Sequence, residues 1–486
     1  MNIRLLPILA GALVFAGCGG GGSSGTPQTA PDTGASDVIT FGTITRFGSV
    51  YANGQVFECA NAMVTMNDEP GVLAELRVGH IVAIRADVRA REQHAVARTI
   101  GCLDEAVGPV SDLDLDRHRF VVLGQTIHFD ELTVFENAPY DQLANGNVVR
   151  VTGHERHANR IQATHIRRIA NTWTIGTQMK VKGTIEDLDA GLMRFRIGTQ
   201  WCDYSSAMLE LGGAALGDGL YAEVRSAAPV TGGELLADLV RARDRDRDRE
   251  RDRLCDAGCS YEIEGYITEF VSPLEFVVDG TTVTTTDTTV YINGTAESLA
   301  LDARIAVAGH YDAEGLLVAS KIVFPLPSVV QIAADVEAVD LEEATVTALG
   351  IRVTTSDSTM FRDATDGGVR EFWLDDLAIG DRVTVRAYLD GGTVVAARLE
   401  REDADDTVTL KAPVEAIDRP ALTLLGVTVT AQDTTVFQAA DQSVIDADTF
   451  FALVEAGTLV RAIGTYSGGT VLADGLFIRE CADSCL

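Results

Sequence analysis

One thirteen-residue phrase recurs along this chain, and that repetition limits the folds open to it. "LGVTVTAQDTTVF" runs from Leu425 to Phe437 and "LGIRVTTSDSTMF" from Leu349 to Phe361. Looser versions are "DGTTVTTTDTTVY" from Asp279 to Tyr291 and "LGQTIHFDELTVF" from Leu123 to Phe135. Each opens with a glycine at a hairpin signal (Gly124, Gly280, Gly350, Gly426), because such turns need positive φ. Asn53-Gly54 and Gly198 mark two more divergent occurrences. Behind the glycine, residues alternate in period two, with Val427, Val429 and Ala431 on one side and Thr428 and Thr430 on the other. That is the pattern of a half-buried strand. An acid (Glu131, Asp287, Asp357, Asp433), a threonine two residues later (Thr133, Thr289, Thr359, Thr435) and an aromatic (Phe135, Tyr291, Phe361, Phe437) complete the phrase. Short Asp and Thr side chains hydrogen-bond nearby backbone, so they are expected to set a turn, and the aromatic to plug a core.

Each phrase lies inside a longer unit. Upstream is a strand opened by a small residue: Gly42-Thr43-Ile44, Gly108-Pro109-Val110, Gly183-Thr184-Ile185, Gly265-Tyr266-Ile267, Ala334-Asp335-Val336 and Ala412-Pro413-Val414. Downstream is a Leu-x-x-Gly-x-x-Val element, as in Leu76/Gly79/Val82, Leu143/Gly146/Val149 and Leu377/Gly380/Val383. Asp302 replaces the glycine in the fourth unit and Val454 the leucine in the sixth. The unit recurs at roughly seventy residues, a domain-sized period. Three strands, a segment with room for a short helix, then two strands match a small OB-like barrel. Asp366–Gly380 is the clearest helical candidate. The expected fold is therefore all-β with short helices: six tandem small barrels arranged as beads on a string. The units are placed at 41–104, 105–170, 179–240, 260–326, 331–403 and 408–480.

These units resemble the bacterial domain of unknown function 5666, found in tandem in lipoproteins and secreted proteins. The resemblance rests on the Gly-x-Ile strand, the hairpin glycine, the Asp-x-Thr-x-Phe phrase and the Leu-x-x-Gly-x-x-Val element. It implies an architecture and carries no activity with it.

The N-terminus reads as an address. Arg4 precedes an apolar run from Leu5 to Phe15, too short to span a bilayer comfortably and shaped like a secretory signal at 1–17. Phe15-Ala16-Gly17-Cys18 resembles the bacterial lipobox, with Phe15 where leucine is preferred. That resemblance implies cleavage before Cys18 and its acylation (palmitate), and Gly19 after the lipidated cysteine implies the outer membrane, facing periplasm or exterior. Residues 18–40 are Gly/Ser/Pro-rich, a flexible tether.

Export makes disulfides permissible. Seven cysteines follow Cys18: Cys59, Cys102, Cys202, Cys255, Cys259, Cys481 and Cys485. Their positions suggest Cys59–Cys102, Cys202 to Cys255 or Cys259, and a local Cys481–Cys485 loop in the 481–486 tail; an odd number leaves one over. The run "RARDRDRDRERDR" within 241–259 alternates sign with no apolar face and reads as a solvated linker. Five of eight histidines fall in the second unit, at 118, 128, 154, 157 and 165, with His154, His157 and His165 as candidate metal ligands.

The formal net charge of -32 repels phosphate backbones, which argues against nucleic acid as a partner. No catalytic motif stands out, and no cofactor is expected. The expected function is that of a lipid-anchored, non-catalytic envelope protein, a multivalent binding or spacer module for protein or polysaccharide. A metal-binding lipoprotein centred on the second unit and a hydrolase with an unrecognised site are the alternatives.

Overall fold

The computed structural model describes residues 35–89, 95–157, 159–243, 260–312 and 315–479. Cys18, Cys255, Cys259, Cys481, Cys485, the signal segment and most of the 241–259 run lie outside these residues. The regular structure of the described chain is almost all strand. Its one described α-helix is Ala447–Leu453, whose first turn Asp446 caps by accepting from the Thr449 amide. The helical expectation at Asp366–Gly380 is met only by a 3₁₀ turn at Leu374–Asp376. In that segment Gly367 and Gly368 precede Phe372, and the carboxylate of Asp363 ties the bend by accepting from the Val369 amide. Bends and backbone bonds of this kind compete with helix.

Strands 106–170 show how a barrel closes. Ala106–Asp114 pairs antiparallel with Arg119–Val122, which pairs with Gln125–His128. Gln125–His128 then runs parallel to Arg160–Ala170, and Val148–Arg156 bridges that last strand back to the first. The order is first, second, third, fifth, fourth, first, so the sheet has no free edge. The strand sets within 35–102, 260–323, 330–402 and 408–478 close in the same order; in 179–242 the fifth strand is split, Glu234–Leu236 pairing the third strand and Leu239–Ala242 the fourth.

The recurrent residues explain the closure. In the hairpins, Asn53-Gly54, Leu123-Gly124, Asp279-Gly280, Leu349-Gly350 and Leu425-Gly426 all have positive φ at both positions, the type I′ requirement. The turn folds back over the small residue that opens the first strand. A Cβ on Gly42 would lie 2.0 Å from Asn53, and one on Gly108 2.9 Å from Leu123. The residue two positions on is then clasped twice. Ile44, Val110, Ile185, Ile267, Val336 and Val414 each accept from a positive-φ residue: Gly79, Gly146, Gly219, Asp302, Gly380 and Gly457 in turn. Each also donates its own amide to the residue that follows that partner, at 2.8–2.9 Å. The Leu-x-x-Gly-x-x-Val element is thus a latch on the first strand, with Leu76, Leu143 and Leu377 buried beneath it.

The barrels are not strung as separate beads. Their first strands join them in pairs. Val38–Phe41 runs parallel to Ser260–Ile263, Val107 and Ala106 pair with Lys180 and Val181, and Gln331–Ala333 pairs with Thr409–Lys411. One continuous apolar core runs from Val330 to Ile478 and another from Ala106 to Val240. The core of the 35–102 barrel is completed by Val134 and Met360 from two other barrels. The 106–170 barrel sits at the hub, since it bonds to residues of every other barrel. The third barrel also extends past its expected end at 240: Leu239–Ala242 is a strand, and Arg243 donates its amide to Tyr221.

Candidate functional site: the charged junctions

The recurrent phrase is scaffold, though its turn is set one residue earlier than expected. Asp130, Thr286 and Ser356, each just before the acid, accept from the amides of Leu132, Thr288 and Ser358. The threonine then does two jobs in all four phrases. Its hydroxyl accepts from the amide three residues back and donates to a fifth-strand carbonyl. Thr133 reaches Ala163 at 2.8 Å, Thr289 reaches Ala319 at 2.7 Å, Thr359 reaches Ala396 at 2.7 Å and Thr435 reaches Ala473 at 2.5 Å. Phe361 and Phe437 are buried as expected, while Phe135 and Tyr291 are half-buried. The acids make none of the turn bonds. Asp357 instead meets Arg46 of the first barrel at 2.8 Å, and Glu131 meets Lys411 of the sixth.

Among the described residues, buried charge concentrates where barrels meet. Between the first three barrels, Asp104 and Glu223 are fully buried. Arg150 reaches Asp104 at 2.5 Å, and Asn67 donates to it at 2.6 Å. Lys180 donates to Asn67 at 2.6 Å and lies 3.4 Å from Glu223, which Arg225 and Arg243 also grip. Burial pushes the Glu223 carboxyl up, yet Lys180, Arg243 and Arg225 outweigh it and hold it at about 2. Burial lowers the Lys180 ammonium to about 8. Asp68 binds Arg241 and Arg243, so the start of the arginine run is part of this junction and not linker.

Two further junctions follow the same logic. Arg398, fully buried beside Glu400, donates to the carbonyls of Glu131 and Thr133 in the second barrel, at 3.3 and 2.8 Å. The Arg46 guanidinium lies 3.8 Å from the Tyr51 ring and 4.5 Å from that of Trp373, which themselves pack edge-to-face at 5.2 Å, a cation–π cluster between the first and fifth barrels. Buried pairs of this kind add little net stability, because desolvation offsets the attraction. They do penalise any docking that leaves a charge unpaired, which favours one arrangement of the barrels.

The candidate metal ligands are not brought together. His154 is buried against Tyr266, 6.4 Å between rings. His157 is exposed, its amide donating to Asp302. His165 is buried 3.3 Å from Glu136, with the His80 ring 4.6 Å away. Among the described residues no three His, Cys, Asp or Glu side chains form a metal-binding group. Burial, followed by the charges of His165 and Arg77, holds His80 well below its usual range; burial also lowers His165, against the pull of Glu136.

The expected Cys59–Cys102 bridge does not form, and both thiols are buried and free. Strand register gives the reason. Phe57 pairs with Ala95 in a parallel ladder, which sets Cys59 beside Ala97, five residues short of Cys102. At roughly 3.3 Å per residue that offset is about 16 Å, far beyond disulfide reach. Cys202 is also buried and free among the described residues, and burial pushes its thiol up to about 12.

The seam roles of Asp104, Lys180, Glu223, Arg398 and Asp302 were missed from sequence. Their one signal was negative, since each sits at a position that the units do not share. Asp302 is the clearest case. It stands where other latches carry glycine, keeps positive φ (65°), and spends its carboxylate on Arg160 at 2.5 Å and Arg156 at 3.6 Å of the second barrel.

Fold and junctions together define a class: a protein of serial small closed β-barrels, packed through buried polar seams. The family described as domain of unknown function (DUF5666) matches residues 107–167, 264–323, 335–400 and 411–474, just over half of the chain, and the chain belongs to that family. No curated protein matches it.

Proposed function

We propose that this is a lipid-anchored, non-catalytic cell-envelope protein whose barrels act as one preorganised binding body for a protein or polysaccharide. The single observation that carries this reading is the use of buried charge at the seams. Asp104, Glu223, Lys180 and Arg398 are consumed in fixing barrel against barrel, which suits a rigid multi-surface body better than an extended spacer. The barrels at 35–102 and 179–242 are read as two divergent copies of the family domain, making six. Their strand order and their latches, Gly79 on Ile44 and Gly219 on Ile185, support this. The anchor is Cys18, read from the apolar run and small pair before it. Cys18→Ser is expected to abolish palmitate labelling and release the protein from outer-membrane fractions. Unchanged fractionation would overturn the anchor. Glycan arrays and envelope crosslinking then identify the partner, and binding retained after Cys18→Ser would separate recognition from anchoring.

A further inference from the structure

The phrase edge of the second, fourth, fifth and sixth barrels has three features in register: the acid, an apolar residue three positions later, and the fifth-strand residue paired with it. In the second barrel these are Glu131, Val134 and His165, and in the fifth Asp357, Met360 and Arg398. Both edges are covered. Val134 and Met360 are buried, at 2% and 8% exposure, and Arg398 of one edge donates across to the Glu131 and Thr133 carbonyls of the other. Two phrase edges therefore meet within this molecule through Arg398, with Val134 and Met360 both seated in the core of the first barrel.

The fourth barrel carries the same edge uncovered: Asp287, Val290 and Lys321, with Val290 paired to Lys321. Val290 is 56% exposed and its neighbour Ile292 41%, while Asp287 and Lys321 are both exposed. This edge sets a base beside Val290 across the ladder and an acid three residues before it, around an exposed apolar centre, so it can complement a copy of itself under twofold rotation. The sixth barrel also exposes its edge through Asp433 and Val436, but Gly475 occupies the region where the others place a basic or imidazole side chain.

We propose that the fourth-barrel edge is a homodimer surface, seating Val290 against Val290 of a second copy with Asp287 and Lys321 paired reciprocally. The internal contact of the second and fifth edges supplies the precedent, and the matched charges name the occupant. Sedimentation equilibrium of the purified chain tests it. The parent is expected at twice the chain mass. Asp287→Lys and Lys321→Glu are each expected to give monomer, and the double swap to restore the dimer, an outcome that misfolding cannot produce. A monomeric parent, a dimer that survives both single changes, or a dimer lost in Val436→Asp but kept in Val290→Asp would overturn the proposal.

Discussion

Thr359 is a small side chain with a large share of its barrel's closure. Its hydroxyl accepts from the Ser356 amide and donates a hydrogen bond to the Ala396 carbonyl, and the residue is fully buried. Thr359→Val keeps the shape and strands both partners, so the expected cost is about 1–3 kcal/mol in chemical denaturation. The neighbouring acid is different in kind. Asp433 is exposed and makes no turn bond, so Asp433→Asn is expected to be nearly silent. Phe437→Ala, which empties a site packed 5.1 Å from Phe450, is expected to cost about 3–5 kcal/mol. If calcium raised the melting temperature and Asp433→Asn abolished that rise, the phrase would be a ligand site instead.

At the scale of the element, the latch separates what barrels share from what distinguishes them. Gly380 has φ 89° with open space around it, so Gly380→Asp is expected to cost about 1–2 kcal/mol from backbone strain alone. Asp302 occupies the equivalent place with the strain already present, and Arg160 gives it a purpose. Asp302→Gly is therefore expected to relax the latch and loosen the seam. Amide exchange should rise at Arg156 and His157 while the fourth-barrel core stays protected. The hairpins, the latch and the buried aromatics were legible in the sequence because each obeys a local rule, positive φ or period two, that leaves a residue signature. The seams were not legible. Asp104, Lys180 and Arg398 look like ordinary surface charges until strand pairing brings another barrel over them. The Cys59–Cys102 pairing failed for the same reason, since parallel register and not proximity in the unit decides which side chains meet.

At the scale of the whole molecule, the seams make stability depend on pH in two windows. His80 and His165 are depressed below 6.5 by burial, so the unfolded chain binds those protons first and stability begins to fall as pH drops below 6.5. Glu136, Glu223, Glu264 and Glu400 are each held at about 2 against an ordinary 4.5. Burial opposes their ionisation in every case. Neighbours that favour the carboxylate prevail: the His165 hydrogen bond with Arg167 and Arg77 at Glu136, Lys180 with Arg243 and Arg225 at Glu223, Arg304 at Glu264, and Arg398 with Arg362 at Glu400. Their stabilisation is complete above about 4.5 and is lost as pH falls towards 2. Denaturation midpoints measured from pH 8 to pH 3 should show a shallow decline followed by a steep one, and His80→Asn should remove part of the first.

The most direct test of barrels locked into one body is small-angle X-ray scattering at the dilute limit, where any self-association is absent. A compact body of this length should have a radius of gyration near 23 Å. The pair-distance distribution should be single-peaked and should not change between low and moderate salt. Barrels connected only by linkers would give a radius roughly half as large again or more, with a long tail of distances, and that result would contradict the seams described above.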